Sequence, residues 1–180
     1  MKGFINKNLY LFIFCVFSNT FFCFAQDESI KMPQNVQHSW FLEFFGSSIS
    51  IYNLNYDCAF QITEKQKIAV GLGGQFVPKP LIMSPPIRPA ITGITAQINY
   101  LYGKNNNYLE LGAGYTITWF YPGSEVSIWK AVPIRIGYRH QKERGGFFWK
   151  IAFTPLFGDI SEGFEVRPSG GIAIGHTFRI

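Results

Sequence analysis

The sequence predicts an all-β fold: an eight-stranded antiparallel up-and-down transmembrane β-barrel preceded by a cleaved signal peptide. Three observations carry this expectation. Apolar and polar residues alternate with period two in one segment after another. Beyond the first 25 residues, no apolar run approaches the roughly 20 residues that a spanning helix needs. The connections between segments alternate between short and long, as they do in membrane barrels. Composition agrees: 18% of the 180 residues are aromatic and only 15% are charged, against roughly 25% charged in an average soluble domain.

The chain divides into residues 1–25, a signal peptide; 26–37, a short N-terminal segment; and 38–180, the barrel. Lys2 and Lys7 form a basic start, Leu9 to Phe17 an apolar run too short to span a membrane, and Cys23-Phe24-Ala25 a small-residue cleavage site. The TFFC around Cys23 lacks the small residue that a lipid-modified cysteine requires before it. Cleavage leaves 14 basic against 11 acidic residues. No run of Lys and Arg marks a nucleic-acid footprint, so the expected partner is membrane lipid.

In YLELGAGYTITW, Leu109, Leu111, Ala113, Tyr115, Ile117 and Trp119 share one face, and Glu110, Gly112, Gly114, Thr116 and Thr118 the other. KIAVGLGGQF, GITAQINYLY, AVPIRIGYRH, FFWKIAFT and GIAIGHTFRI repeat the pattern. The apolar faces are almost free of charge. The opposite faces carry Gly, Thr, Asn, Gln and isolated full charges, which suits a cramped polar interior better than a water-facing surface rich in long Lys and Glu.

ITEKQK, YGKNNN and HQKERGG read as short turns. Residues 78–90, 121–131 and 155–169 read as long loops where a surface partner could dock, the first with an apolar tip at Leu81, Ile82 and Met83. HSWFLEFFG and the segment from about Ser50 to Phe60 form the first two strands, joined by a tight external turn at Gly46-Ser47-Ser48. Residues 38–60 as one bent strand would leave seven strands, a poor number for closure. Aromatics fall where the apolar band should end: Tyr100, Tyr102, Tyr108, Tyr138, Trp149 and Phe178 at the short-turn side, Trp119, Phe120, Tyr121 and Phe153 at the long-loop side.

Together WFLEFFG, IYNLNYD, VGLGGQFVP, YLELGAGYT, VPIRIGYRHQ and GGIAIGHTFRI resemble the small outer-membrane β-barrel proteins of Bacteroidetes-type bacteria, within the porin-like and OmpA-type superfamily. The resemblance implies residence in a Gram-negative outer membrane and assembly by the barrel-insertion machinery. The insertion signal of such barrels usually ends in an aromatic residue; here Phe178 stands two before the final Ile180.

Alternation puts Glu43, Asp57, Glu110, Arg135, Arg139, Lys150 and Arg179 inside. Charges in so dry a place must pair, so they are expected to plug and stiffen the lumen rather than conduct ions. No catalytic activity, cofactor or metal is expected. GLGG and GAG sit within strands with no following helix, unlike a phosphate loop, and no Cys, His and Asp share metal-ligand spacing. Cys58 reads as a small apolar residue near a strand end rather than a reactive thiol, with nothing nearby expected to form a Cys–His pair with it. Small outer-membrane barrels that modify lipid A use His with Ser and an acid. Here His38 is placed ahead of the first strand and His140 in a turn, while His176 falls on the outer face with no His-x-Ser motif. The expected function is thus structural or surface-interacting. The alternatives are a secreted lipocalin-like barrel binding a hydrophobic ligand, which would expose Arg135, Arg139 and Lys150, and a lipid-A-modifying enzyme dependent on His176.

Overall fold

Ten strands account for most of the described chain: β1 Val36–Phe45, β2 Tyr52–Thr63, β3 Gln66–Val77, β4 Ala90–Lys104, β5 Asn107–Tyr121, β6 Ser127–Gln141, β7 Gly146–Phe153, β8 Leu156–Ile160, β9 Gly163–Arg167 and β10 Gly170–Phe178. They come from a computed structural model that describes residues 36–48, 51–77, 90–121, 126–160 and 163–179. The expected signal peptide and the apolar tip at Leu81, Ile82 and Met83 lie outside the described residues.

Every neighbouring pair is antiparallel, and the sheet closes on itself through β5–β6 and β1–β10. The closed wall has eight strands: β1 to β7 in order, then β10. Residues 38–60 are therefore two strands and not one. β8 continues the line of β7 past Thr154 and Pro155 and pairs with β6, and β9 folds back on β8 as a hairpin.

Followed pair by pair from Asn107 through His140, Trp149, Ile174, Leu42, Leu54, Gly74 and Ile94, the register returns to β5 at Ile117, ten residues further along. Eight strands with that stagger tilt by roughly 40° and leave an interior just wide enough for side chains. The turns that hold this register sit at the same end as the start of β1 and the end of β10. Between β4 and β5, Asn105 and Asn106 take φ of 55° and 71°, the pair of left-handed residues a two-residue hairpin demands and Asn tolerates.

Three expectations need correction. The stretches 121–131 and 155–169 are not long loops, because β6 starts at Ser127 and β8 and β9 fill most of the second. The ladder hydrogen bonds carry on past the apolar band. The barrel also begins earlier than residue 38, so His38 lies within β1, and His140 lies within β6. Finally, Gly46-Ser47-Ser48 is no external turn. Phe45 and Gly46 adopt φ of 60° and 84°, which folds the connection inward, and Ser47 and Ser48 are buried. The Thr116 hydroxyl of β5 donates to Ser47 O at 2.8 Å, and the Ser169 hydroxyl to Gly46 O at 3.1 Å.

The polarity of the wall is inverted relative to a soluble barrel. Leu54, Leu72, Ile94, Ile136 and Ile172 stand on its outside, with Leu72 67% exposed. Inside, glycines make room for amides. A Cβ on Gly112 would fall on Asn99 Oδ1, and one on Gly73 would meet the Asn53 amide at 2.9–3.1 Å. This is why the inner face reads as glycine alternating with Asn and Gln.

Candidate functional site

β6 sets the geometry of the lumen. Arg135 and Arg139 are four residues apart on its inner face, with Gly137 between them. Glu110 of β5 pairs with that glycine, so its carboxylate enters the gap between the two guanidinium groups. Lys150 of β7 pairs with Arg139 and reaches the same carboxylate.

The resulting cluster spans the barrel. Arg135 donates to Glu110 Oε1 at 3.2 Å on its own side and to Glu43 Oε1 of β1 at 2.6 Å across the lumen. Arg139 grips Asp57 of β2 with two bonds of 2.7 and 3.0 Å, and its Nη1 lies 3.9 Å from Glu110 Oε2. Lys150 Nζ donates to Glu110 Oε1 at 3.2 Å. All six side chains are at most 2% exposed. Three carboxylates thus meet three cations, the condition under which the desolvation cost of buried charge is offset.

The inward connection caps this cluster. Ser47 Oγ donates to Glu43 Oε2 at 3.0 Å and accepts from Arg135 Nη2. Aromatic faces cover the remaining charge: Arg139 lies 4.6 Å from the Phe148 ring centre and Lys150 4.3 Å from that of Phe41. Below it, Lys67 is also buried, donating to Gln37 Oε1 at 2.8 Å and lying 4.4 Å from the centre of the Tyr108 ring.

Of the residues named from the sequence, Glu43, Asp57, Glu110, Arg135, Arg139 and Lys150 come together. Arg179 does not: it follows the last ladder pair of β10 and stands exposed at the short-turn mouth. Tyr108 is also corrected. It shares its parity with Glu110, so it is buried in the lumen rather than placed at the interface. Tyr100, Tyr102, Tyr138, Trp149, Trp119, Tyr121 and Phe178 are exposed or half-buried, and Trp149 meets Tyr138 at 5.2 Å with the rings tilted by 46° and stacks on His140 at 6.1 Å. His176 is exposed on the outer face, with Trp40 and Phe147 as its strand partners. Lys67, Phe41 and Phe148 were missed, although parity within their strands marks all three as inward. Cys58 lies in the middle of β2 rather than near its end, and it does have a histidine beside it: its Sγ lies 3.3 Å from His38 Nδ1. Among the described residues, no three His, Cys, Asp or Glu side chains converge as a metal site.

The fold and lumen define an inside-out β-barrel, apolar without and charge-filled within. Comparison with known proteins bears on the fold alone. No protein-family model matches the chain, and no curated protein matches it in sequence. Among solved structures, Neisserial surface protein A superposes with a TM-score of 0.50 at 14% identity, covering 81% of this chain and 96% of that one. The N-terminal β-barrel domain of Pseudomonas aeruginosa OprF gives a TM-score of 0.45 at 15% identity, over 79% of this chain and 96% of its own. Ail, the attachment invasion locus protein of Yersinia pestis, gives 0.45 at 11% identity over the same shares.

Proposed function

We propose that this chain is an integral outer-membrane barrel, exported by a cleaved signal peptide, with a structural or surface-interaction role and a lumen plugged by its own ion pairs. One observation carries the reading: large aliphatic side chains such as Leu54, Leu72, Ile94, Ile136 and Ile172 face outward around the wall, while Glu43, Asp57, Glu110, Arg135, Arg139 and Lys150 are enclosed. Water on the outside would make so much exposed apolar surface untenable for a monomer; hydrocarbon makes it the stable arrangement. Closure supports it further, because an open sheet edge in lipid leaves backbone groups unsatisfied.

The interior speaks against a lipocalin-like carrier, since Arg135, Arg139 and Lys150 occupy the space that a hydrophobic ligand would need. The surface-interaction part rests on the β8–β9 hairpin, where Phe164 is 75% exposed and Val166 stands beside it on the same face.

The test is refolding of the chain without residues 1–25 into phosphatidylcholine vesicles whose tails carry bromine, using single-tryptophan variants. Trp40, 52% exposed on the outer wall, should be quenched strongly, and Trp129, 4% exposed and turned inward, only weakly. A folded β protein left unquenched in the aqueous phase would overturn the membrane reading. A discrete single-channel current would overturn the plugged lumen.

A further inference from the structure

The register of β1 and β2 sets His38 directly opposite Cys58. Both side chains lie on the outer face, as does Tyr56. Cys58 Sγ is 3.3 Å from His38 Nδ1, and the Tyr56 hydroxyl is 2.7 Å from the same nitrogen. Phe178 stacks on the imidazole at 5.6 Å with 20° between the rings, which fixes the ring's orientation. A thiol, a base within reach of its proton and a neighbour that orients the base make up the arrangement that activates a nucleophile.

Two further observations indicate what such a nucleophile would meet. An apolar groove of ≈ 270 Å³ runs beside the sulfur, lined by Tyr56, Cys58, Phe60, Val70, Gly71 and Leu72. The position is equally specific. His38 is the third residue of β1 and Phe178 the last of β10, so the group lies at the short-turn margin of the apolar belt. In a bilayer that margin is the boundary between hydrocarbon and headgroup, where the ester carbonyls of one leaflet reside.

We propose that Cys58 is an acyl-acceptor site that takes one fatty acyl group from the ester of a membrane glycerophospholipid. The inference rests on the membrane reading above. As sulfur attacks the ester carbonyl, its proton passes to His38 Nδ1, and Tyr56 turns its O–H from that nitrogen to the developing oxyanion. The ester C–O bond then breaks. The departing lysophospholipid oxygen recovers the proton from His38, leaving a Cys58 thioester with its chain along the groove. Protons and charge balance, and no further reactant is consumed. The transfer is single and stoichiometric, compatible with a non-enzymatic barrel.

The experiment refolds wild type, Cys58→Ser and His38→Gln into vesicles of phosphatidylethanolamine and phosphatidylglycerol with isotope-labelled acyl chains. Intact mass is read over time, and quenching by brominated tails is recorded on the same samples. Wild type should gain the mass of one labelled acyl group, released by neutral hydroxylamine. Cys58→Ser should gain none. His38→Gln, at equal folded fraction, should acylate at least about tenfold more slowly. Quenched wild type that stays unmodified would overturn the acyl-acceptor site and leave the membrane reading standing. Unquenched wild type would overturn both. Equal rates in wild type and His38→Gln would overturn the role of the histidine.

Discussion

Arg139 on β6 reaches across the barrel to Asp57 on β2 and donates to both carboxylate oxygens, at 2.7 and 3.0 Å, with neither side chain exposed. The pair ties two strands that are not neighbours in the wall. Replacing Asp57 with Asn should strand a buried guanidinium and cost about 3–5 kcal/mol, measured by urea unfolding of the refolded protein in lipid vesicles. The double variant Asp57→Leu with Arg139→Met should recover most of that loss, because it removes both charges together. A double variant no more stable than Asp57→Asn would show that other lumen groups depend on the pair.

Glu110 has a different role, serving Lys150 and Arg135 at 3.2 Å and Arg139 at 3.9 Å. Glu110→Gln removes the one anion common to three cations and should cost several kcal/mol. Lys150→Met leaves that carboxylate with two partners and relieves the crowding of cations, so the loss should be markedly smaller. If unfolding shows Lys150→Met to be the more damaging change, Glu110 is not the centre of the cluster.

Most of this arrangement is legible in the sequence, because side-chain direction in a strand has a period of two and survives errors in strand ends. Glu110, Arg135 and Arg139 follow from parity alone. Tyr108 shows how the rule is lost: its place near a turn suggested an interface, while its parity with Glu110 puts it inside. What parity does not supply is register. A three-residue turn at Gly46-Ser47-Ser48 would set His38 opposite Tyr56. The actual connection runs to Ile51, with Phe45 N donating to Ile51 O at 2.9 Å. That slides the pairing by two residues and brings His38 opposite Cys58. The inward fold of the same connection is equally hidden, since it depends on Ser47 finding Arg135 and Thr116, residues distant in sequence.

The inward connection also makes a steric prediction at Gly171. A Cβ there would come within 2.9 Å of Gly46 Cα and of Phe44 O, and backbone cannot step aside as a side chain can. Gly171→Ala should therefore cost about 1–3 kcal/mol. Gly74 is the control, because a Cβ there would meet nothing within 4 Å. Gly74→Ala should be neutral or stabilise by up to about 1 kcal/mol, through the lower entropy of the unfolded chain. Equal losses at the two sites would mean that the connection does not sit against β10.

Lys67 tests whether burial alone makes a lumen charge important. The residue is 2% exposed and its ammonium group bonds Gln37, yet among the described residues no carboxylate lies within ion-pair distance of it. Those residues thus place four cations inside against three carboxylates, and Lys67 is the surplus one. Lys67→Met would give up one hydrogen bond and the contact with Tyr108 but would also abolish a desolvation cost that no ion pair among the described residues offsets, while filling nearly the same volume. The two effects should cancel to within about 1 kcal/mol. Arg139→Met, also a long apolar replacement of a buried cation, should instead strand Asp57 and lose about 3–5 kcal/mol. Vesicle unfolding in urea separates the cases directly. Comparable losses would show that Lys67 is compensated by an anion near the short-turn mouth, and restoration of Lys67→Met by neutralising Glu143, whose Oε1 lies 3.5 Å from the Tyr108 hydroxyl, would identify that anion.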